Sequence, residues 1–210
     1  MHRFREPVNG FTHLAGAVLA SVGLIWLIIM TQDNLAKMLS LIVYGVSTIL
    51  LYAASATFHL TKASDNILLW LRRLDHAAIY LMIAGTYTPF IYNVLDSSLR
   101  GWLLPIVWIL AAAGIAYKLL FLNDSGLISL ICYVAVGCVG LLVVPQTVNA
   151  LPIGAIILIL TGGAFYLVGA LIFGLEKPNF HRYFGHHELW HVFVLGGSLM
   201  HFAAILFYIV

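Results

Sequence analysis

The stretch His186-His187-Glu188-Leu189-Trp190-His191 opens an apolar run that continues to about residue 209. About 20 such residues are what a helix needs to cross the hydrocarbon core of a bilayer. His187 and His191 are four apart, so on that helix they lie one above the other on one face, as two imidazoles must to share a metal ion. An imidazole at the edge of a hydrophobic span costs free energy unless something pairs with it, and two facing the same way cost more. A bound divalent cation removes that cost.

Outward from this run, the rest of the chain reads the same way. With 62% hydrophobic and 9% charged residues and a mean hydropathy of +1.02, it lies far from soluble domains, which carry about 25% charged residues. The class is an all-α integral membrane protein. A net charge of +2 is too small to indicate a nucleic-acid partner. Apolar runs of spanning length fall at about 12–30, 36–60, 74–95, 101–121, 126–145, 152–174 and 187–209, which predicts a single seven-helix domain over residues 1–210. The breaks are Gln32-Asp33-Asn34, residues 61–73, Asp96-Ser97-Ser98, Asn123-Asp124-Ser125, 149–152 and 176–185. The first run has spanning length and no small-residue cleavage site, so it is expected to be a span and not a signal peptide. Cys132 and Cys138 lie six apart on one run, about 9 Å along a helix and turned about 120°, so no disulfide is expected between them.

Orientation follows from Lys and Arg. One side of the predicted bundle collects Arg3, Arg5, Lys62, Arg72, Arg73, Lys118, Lys177 and Arg182, and the other collects Lys37 and Arg100. Eight against two places the N-terminus in the cytoplasm and, with an odd number of spans, the C-terminus outside. Pro89 and Pro105 are expected to kink or start their helices. Gly162, Gly163, Gly169, Gly174, Gly196 and Gly197 are expected to let the last two helices approach closely.

On this topology the polar residues converge. Ser55 and His59 share a face at the cytoplasmic end of the second span, Asp75 opens the third, and His187 and His191 open the seventh. Three distant segments thus deliver ionisable groups to one depth on one side. His59, His187 and His191 supply three imidazole nitrogens, a set suited to Zn2+, with a fourth tetrahedral position left for water whose pKa the ion lowers from about 15.7 towards 7. Asp75 is the candidate general base, and Ser55 the candidate to hold Asp75 or stabilise an oxyanion. Other readings stay open here: Asp75 as a fourth metal ligand that closes the site, Asp75 paired with Arg72 or Arg73, and Ser55 bonded back to its own helix. His201, ten residues past His191, falls about 15 Å deeper and cannot reach the same ion. His13 is a candidate lining residue, while His76 and His186 point about 100° away from the site residues beside them. The spelling His187-Glu188-x-x-His191 also matches the zincin signature, but the third His lies far upstream and the pair starts a membrane span, so Glu188 reads better as a partner of the positive helix end.

These residues carry a family resemblance over essentially the whole chain. Glu6-Pro7-Val8-Asn9-Gly10-Phe11-Thr12-His13, Ser55-x-x-x-His59, the block from Asp75 through Thr86-Tyr87-Thr88-Pro89-Phe90, and His187-x-x-x-His191 with Gly196-Gly197-Ser198 and His201-Phe202 resemble bacterial hemolysin III proteins. That family is grouped with the progestin and adiponectin receptors and, distantly, with alkaline ceramidases. The resemblance implies a seven-helix bundle with an intracellular N-terminus, and zinc held by His59, His187 and His191. It also implies that Asp75 holds the zinc-bound water and that Ser55 lines the site.

The function expected is zinc-dependent hydrolysis of lipid amide or ester bonds, and the resemblance implies that it serves membrane lipid homeostasis in the bacterial cytoplasmic membrane. Membrane lipids are the expected substrates or ligands, and the metal site is expected near the cytoplasmic leaflet. The alternatives are a sensor or regulator of membrane state in which zinc is structural, and a cytolytic pore; no amphipathic pore-forming segment is visible.

Overall fold

The structure, a computed structural model, describes residues 4–121, 126–181 and 184–210. The described residues form helices α1 (Pro7–Met30), α2 (Leu35–Leu60), α3 (Asp65–Val94), α4 (Ser97–Leu120), α5 (Gly126–Gly137), a 3-10 segment (Cys138–Val143), α6 (Val144–Ala150), α7 (Ile153–Leu175) and α8 (His186–Tyr208). No strand is present among them.

Local chemistry sets the helix ends. Pro7 starts α1, where the missing N–H is no loss. The Asn34 side chain caps α2 by accepting from the Lys37 N–H at 3.0 Å, and Asp96 caps α4 by accepting from Ser98 and Leu99 at 2.9 and 3.0 Å. Glu188 accepts from the Gly185 N–H at 2.7 Å at the start of α8, beside the positive helix end of which it is read above as a partner.

Six segments are long and apolar enough to cross a membrane: α1, α2, α4, the continuous stretch 127–150, α7 and α8. Their outer faces expose large apolar side chains such as Leu19, Leu142, Ile153 and Phe207, each about two thirds or more accessible, as a lipid-facing surface requires. α3 is the longest helix, at 30 residues, yet falls outside that set. Its first half carries Asp65, Arg72, Arg73 and Asp75, and its second half Tyr, Thr, Asn and Pro residues.

Three expectations need correction. Residues 61–73 are not one polar loop, because α3 begins at Asp65 and only 61–64 are non-helical. The fifth run does not end at 145 but continues to Ala150 through the 3-10 segment. The cause is Tyr87 of α3, whose hydroxyl accepts from the Gly140 N–H at 2.8 Å and donates to the Gly137 carbonyl, entering the helical ladder and breaking it. Lys118 is not a loop cation: it is fully buried and donates to Ser129. The Asn123-Asp124-Ser125 break, and Arg3 and Arg182, lie outside the described residues.

α3 is central, packing on α2, α4, α5 and α8, while α1 joins α2 to α8 and α7 covers α8. Glycines permit the closest approaches. A Cβ on Gly169 would stand 2.7 Å from Phe193 Cβ, and one on Gly197 2.6 Å from the Tyr166 ring, whereas one on Gly163 would meet nothing within 4 Å. Cys132 and Cys138 are free thiols.

Candidate metal centre

The last turn of α2 and the first two turns of α8 end at the same end of the bundle as the start of α1, because α1 packs between them. His59 is completely buried and His191 nearly so. Their ring centroids lie 4.9 Å apart, His59 and His187 5.0 Å, and His187 and His191 5.0 Å, an almost equilateral triangle. One ligand nitrogen from each ring lies within 4.8 Å of the other two, and this is the one such group of three or more among the described residues.

Hydrogen bonds choose which nitrogens face inward. His59 Nδ1 is 2.5 Å from a Glu6 carboxylate oxygen, and His191 Nδ1 is 3.1 Å from the Asn9 carbonyl oxygen. Neither acceptor has a proton to give, so Nδ1–H donates in both and Nε2 keeps its lone pair. His59 Nε2 is buried and has no protein partner. Three imidazoles converging on one point, with a bare and desolvated nitrogen among them, fit a borderline divalent cation held in tetrahedral geometry.

Ser55 lies one turn before His59, buried, and its hydroxyl bonds the Asp75 carboxylate. Asp75 lies outside the cluster of ligand atoms. Among the described residues it makes no ion pair with Arg72 or Arg73. The Arg73 guanidinium lies instead over the Trp70 ring, 4.8 Å from its centroid.

Around the triad, His13 stacks on His191 with centroids 3.7 Å apart and planes at 10°, and meets Tyr52 edge-on at 5.0 Å. Phe173 of α7 meets His187 edge-on at 5.4 Å. His186 turns away to Asn179 at 2.9 Å, and His201 stacks on Tyr166 deeper in the bundle. His13, His186 and His201 thus sit where their spacing placed them.

Two contributors escaped the sequence reading, Glu6 and the Asn9 carbonyl. The only signal was their membership of the stretch Glu6-Pro7-Val8-Asn9-Gly10-Phe11-Thr12-His13 that carries the family resemblance. Burial raises the pKa of Glu6, but the hydrogen bond from His59 and the neighbouring Arg5 outweigh it and hold the carboxyl below the ordinary carboxylate range.

Fold and site together define a polytopic helical membrane protein with a buried three-histidine centre at one end of its bundle. The chain matches the family described as Haemolysin-III related over residues 1–202, and it belongs to that family. It is 39% identical over 206 residues to the Hemolysin-3 of Bacillus cereus, covering 97% of this chain and 91% of the relative. With the Hemolysin-3 homolog of Bacillus subtilis (strain 168) it shares 37% over 209 residues, covering 98% and 94%. A human relative, the monocyte to macrophage differentiation factor, is 27% identical over 213 residues, covering 96% and 83%.

Proposed function

We propose that this protein is a zinc-dependent hydrolase of lipid amide or ester bonds, working at the cytoplasmic leaflet of a bacterial cytoplasmic membrane. The observation that carries this reading is the triangle of His59, His187 and His191 with the Ser55–Asp75 pair beside it. Bound there, zinc would polarise a carbonyl oxygen and lower the pKa of water. The chain does the rest. His59, His187 and His191 would hold the ion through their imidazole nitrogens. Asp75, outside the ligand cluster, takes the proton from the attacking water, and Ser55 fixes the rotamer in which it does so. His13, Tyr52 and Phe173 wall the site with rings and limit bulk water.

A seventh crossing by α3, with the N-terminus inside, is part of this proposal. Parity supports it: His59 ends α2 and His187 begins α8 at the same end of the bundle, so an even number of crossings separates them. α4, the 127–150 stretch and α7 supply three, and α3 is the fourth. Without Lys118 the cytoplasmic side still holds seven cations against two.

A second reading, a regulator with structural zinc, is favoured by one observation. The polar cavity of about 380 Å³ lined by Asn34, Lys37, Asn93 and Tyr208 lies at the far end from the histidines. Asp75→Ala separates the two. In the hydrolase it abolishes release of fatty acid from amide- or ester-linked lipids in vesicles while zinc stays bound at the wild-type ratio. Loss of zinc, or a wild-type protein that hydrolyses neither class, sinks the enzymatic reading.

A further inference from the structure

We infer that the turn formed by residues 6–9 is a clamp that sets the tautomers and orientations of two candidate ligands on different helices, with Glu6 as the positioning residue. The inference rests on the metal reading above and extends it to residues that are not ligands.

Glu6 grips His59 twice. Its carboxylate accepts from His59 Nδ1 at 2.5 Å, and its backbone N–H donates to the His59 carbonyl at 2.9 Å, satisfying one of the orphan carbonyls at the end of α2. The other carboxylate oxygen lies 3.2 Å from Arg5 Nε, and the Arg5 guanidinium lies 4.0 Å above the Phe58 ring. Three residues on, the Asn9 carbonyl accepts from His191 Nδ1 at 3.1 Å, and the Asn9 amide reaches back to Glu6 at 3.5 Å. One turn of chain therefore holds imidazoles from α2 and α8 with Nε2 inward. Gly10 makes the approach possible, since a Cβ there would stand 2.3 Å from Leu60 Cγ. A carboxylate behind a coordinating imidazole fixes its orientation and raises its basicity, and removal of such a partner typically costs 10- to 100-fold in metal affinity.

The test measures zinc affinity of purified full-length protein in detergent by chelator competition, for wild type, Glu6→Gln and Glu6→Ala. The cobalt-loaded visible spectrum and the thermal midpoint of the metal-free proteins are recorded alongside. E6Q keeps the size of the side chain, so it decides the matter even should E6A fail to fold. The clamp requires about a 10-fold loss in E6Q and up to about 100-fold in E6A, altered cobalt bands, and metal-free midpoints equal to wild type. Wild-type affinity and spectrum in E6Q overturn the clamp and leave the triad standing. A wild-type protein that takes up neither zinc nor cobalt overturns the triad and the clamp together.

Discussion

At the scale of single residues, the three histidines are not equivalent. His59 and His191 have Nδ1 occupied by acceptors from the N-cap and first turn of α1, whereas His187 stands against Phe173. Removing any one leaves two nitrogen donors, too few for a tight tetrahedral site. His59→Ala and His191→Ala should each lower zinc from about one ion per chain to near zero by elemental analysis; full retention in either variant contradicts the triad. The triad was legible because helical spacing and membrane depth are both properties of local sequence: four residues set His187 over His191, and the position of each in its run set the level. Glu6 was not legible as a partner of His59. Nothing in the spacing of positions 6 and 59 connects them, and only the packing of α1 between α2 and α8 brings that tail over the site.

At the scale of elements, the packing of α2 against α3 depends on Gly85. A Cβ there would stand 1.7 Å from Ser47 Oγ and 2.6 Å from Ser47 Cβ, and Ser47 is itself buried and bonded to the Tyr44 carbonyl at 2.8 Å. Room cannot come from a side-chain swing alone, so the helices must separate. Gly85→Ala should therefore destabilise the protein by about 1–3 kcal/mol. Gly163→Ala, which meets nothing within 4 Å, should be neutral or slightly stabilising through helix propensity, worth up to about 1 kcal/mol. Thermal unfolding in one detergent decides between them, and equal midpoints would refute the packing argument. Long apolar runs made most helices legible in the sequence, since length and composition are local. The 3-10 break in the fifth run was not, because its cause is the Tyr87 hydroxyl, some 50 residues upstream. The early start of α3 was hidden by its charges, Asp65, Arg72, Arg73 and Asp75, which read as a loop but lie within the helix.

At the scale of the whole molecule, topology and site constrain each other. If α3 did not cross, the three remaining crossings between His59 and His187 would place them on opposite sides of the bilayer, about 30 Å apart by the thickness of its hydrocarbon core. Their rings are 5.0 Å apart. In the proposed topology the charge bias makes the shared side cytoplasmic, because Arg5 and Lys62 flank helix ends beside the triad and Arg72 and Arg73 lie in the first half of α3, while Lys37 and Arg100 lie at the other end. Reporter fusions to full-length protein expressed in a bacterium test both steps. Alkaline phosphatase, active only outside the cytoplasm, should be active after residue 210 and after the α3–α4 connection at Asp96, and inactive after Thr61. A fluorescent protein that folds only in the cytoplasm should give the reverse pattern. Active phosphatase at both Thr61 and residue 210 would mean an even number of crossings between them, and would separate α8 from the end of α2 that its histidines must reach.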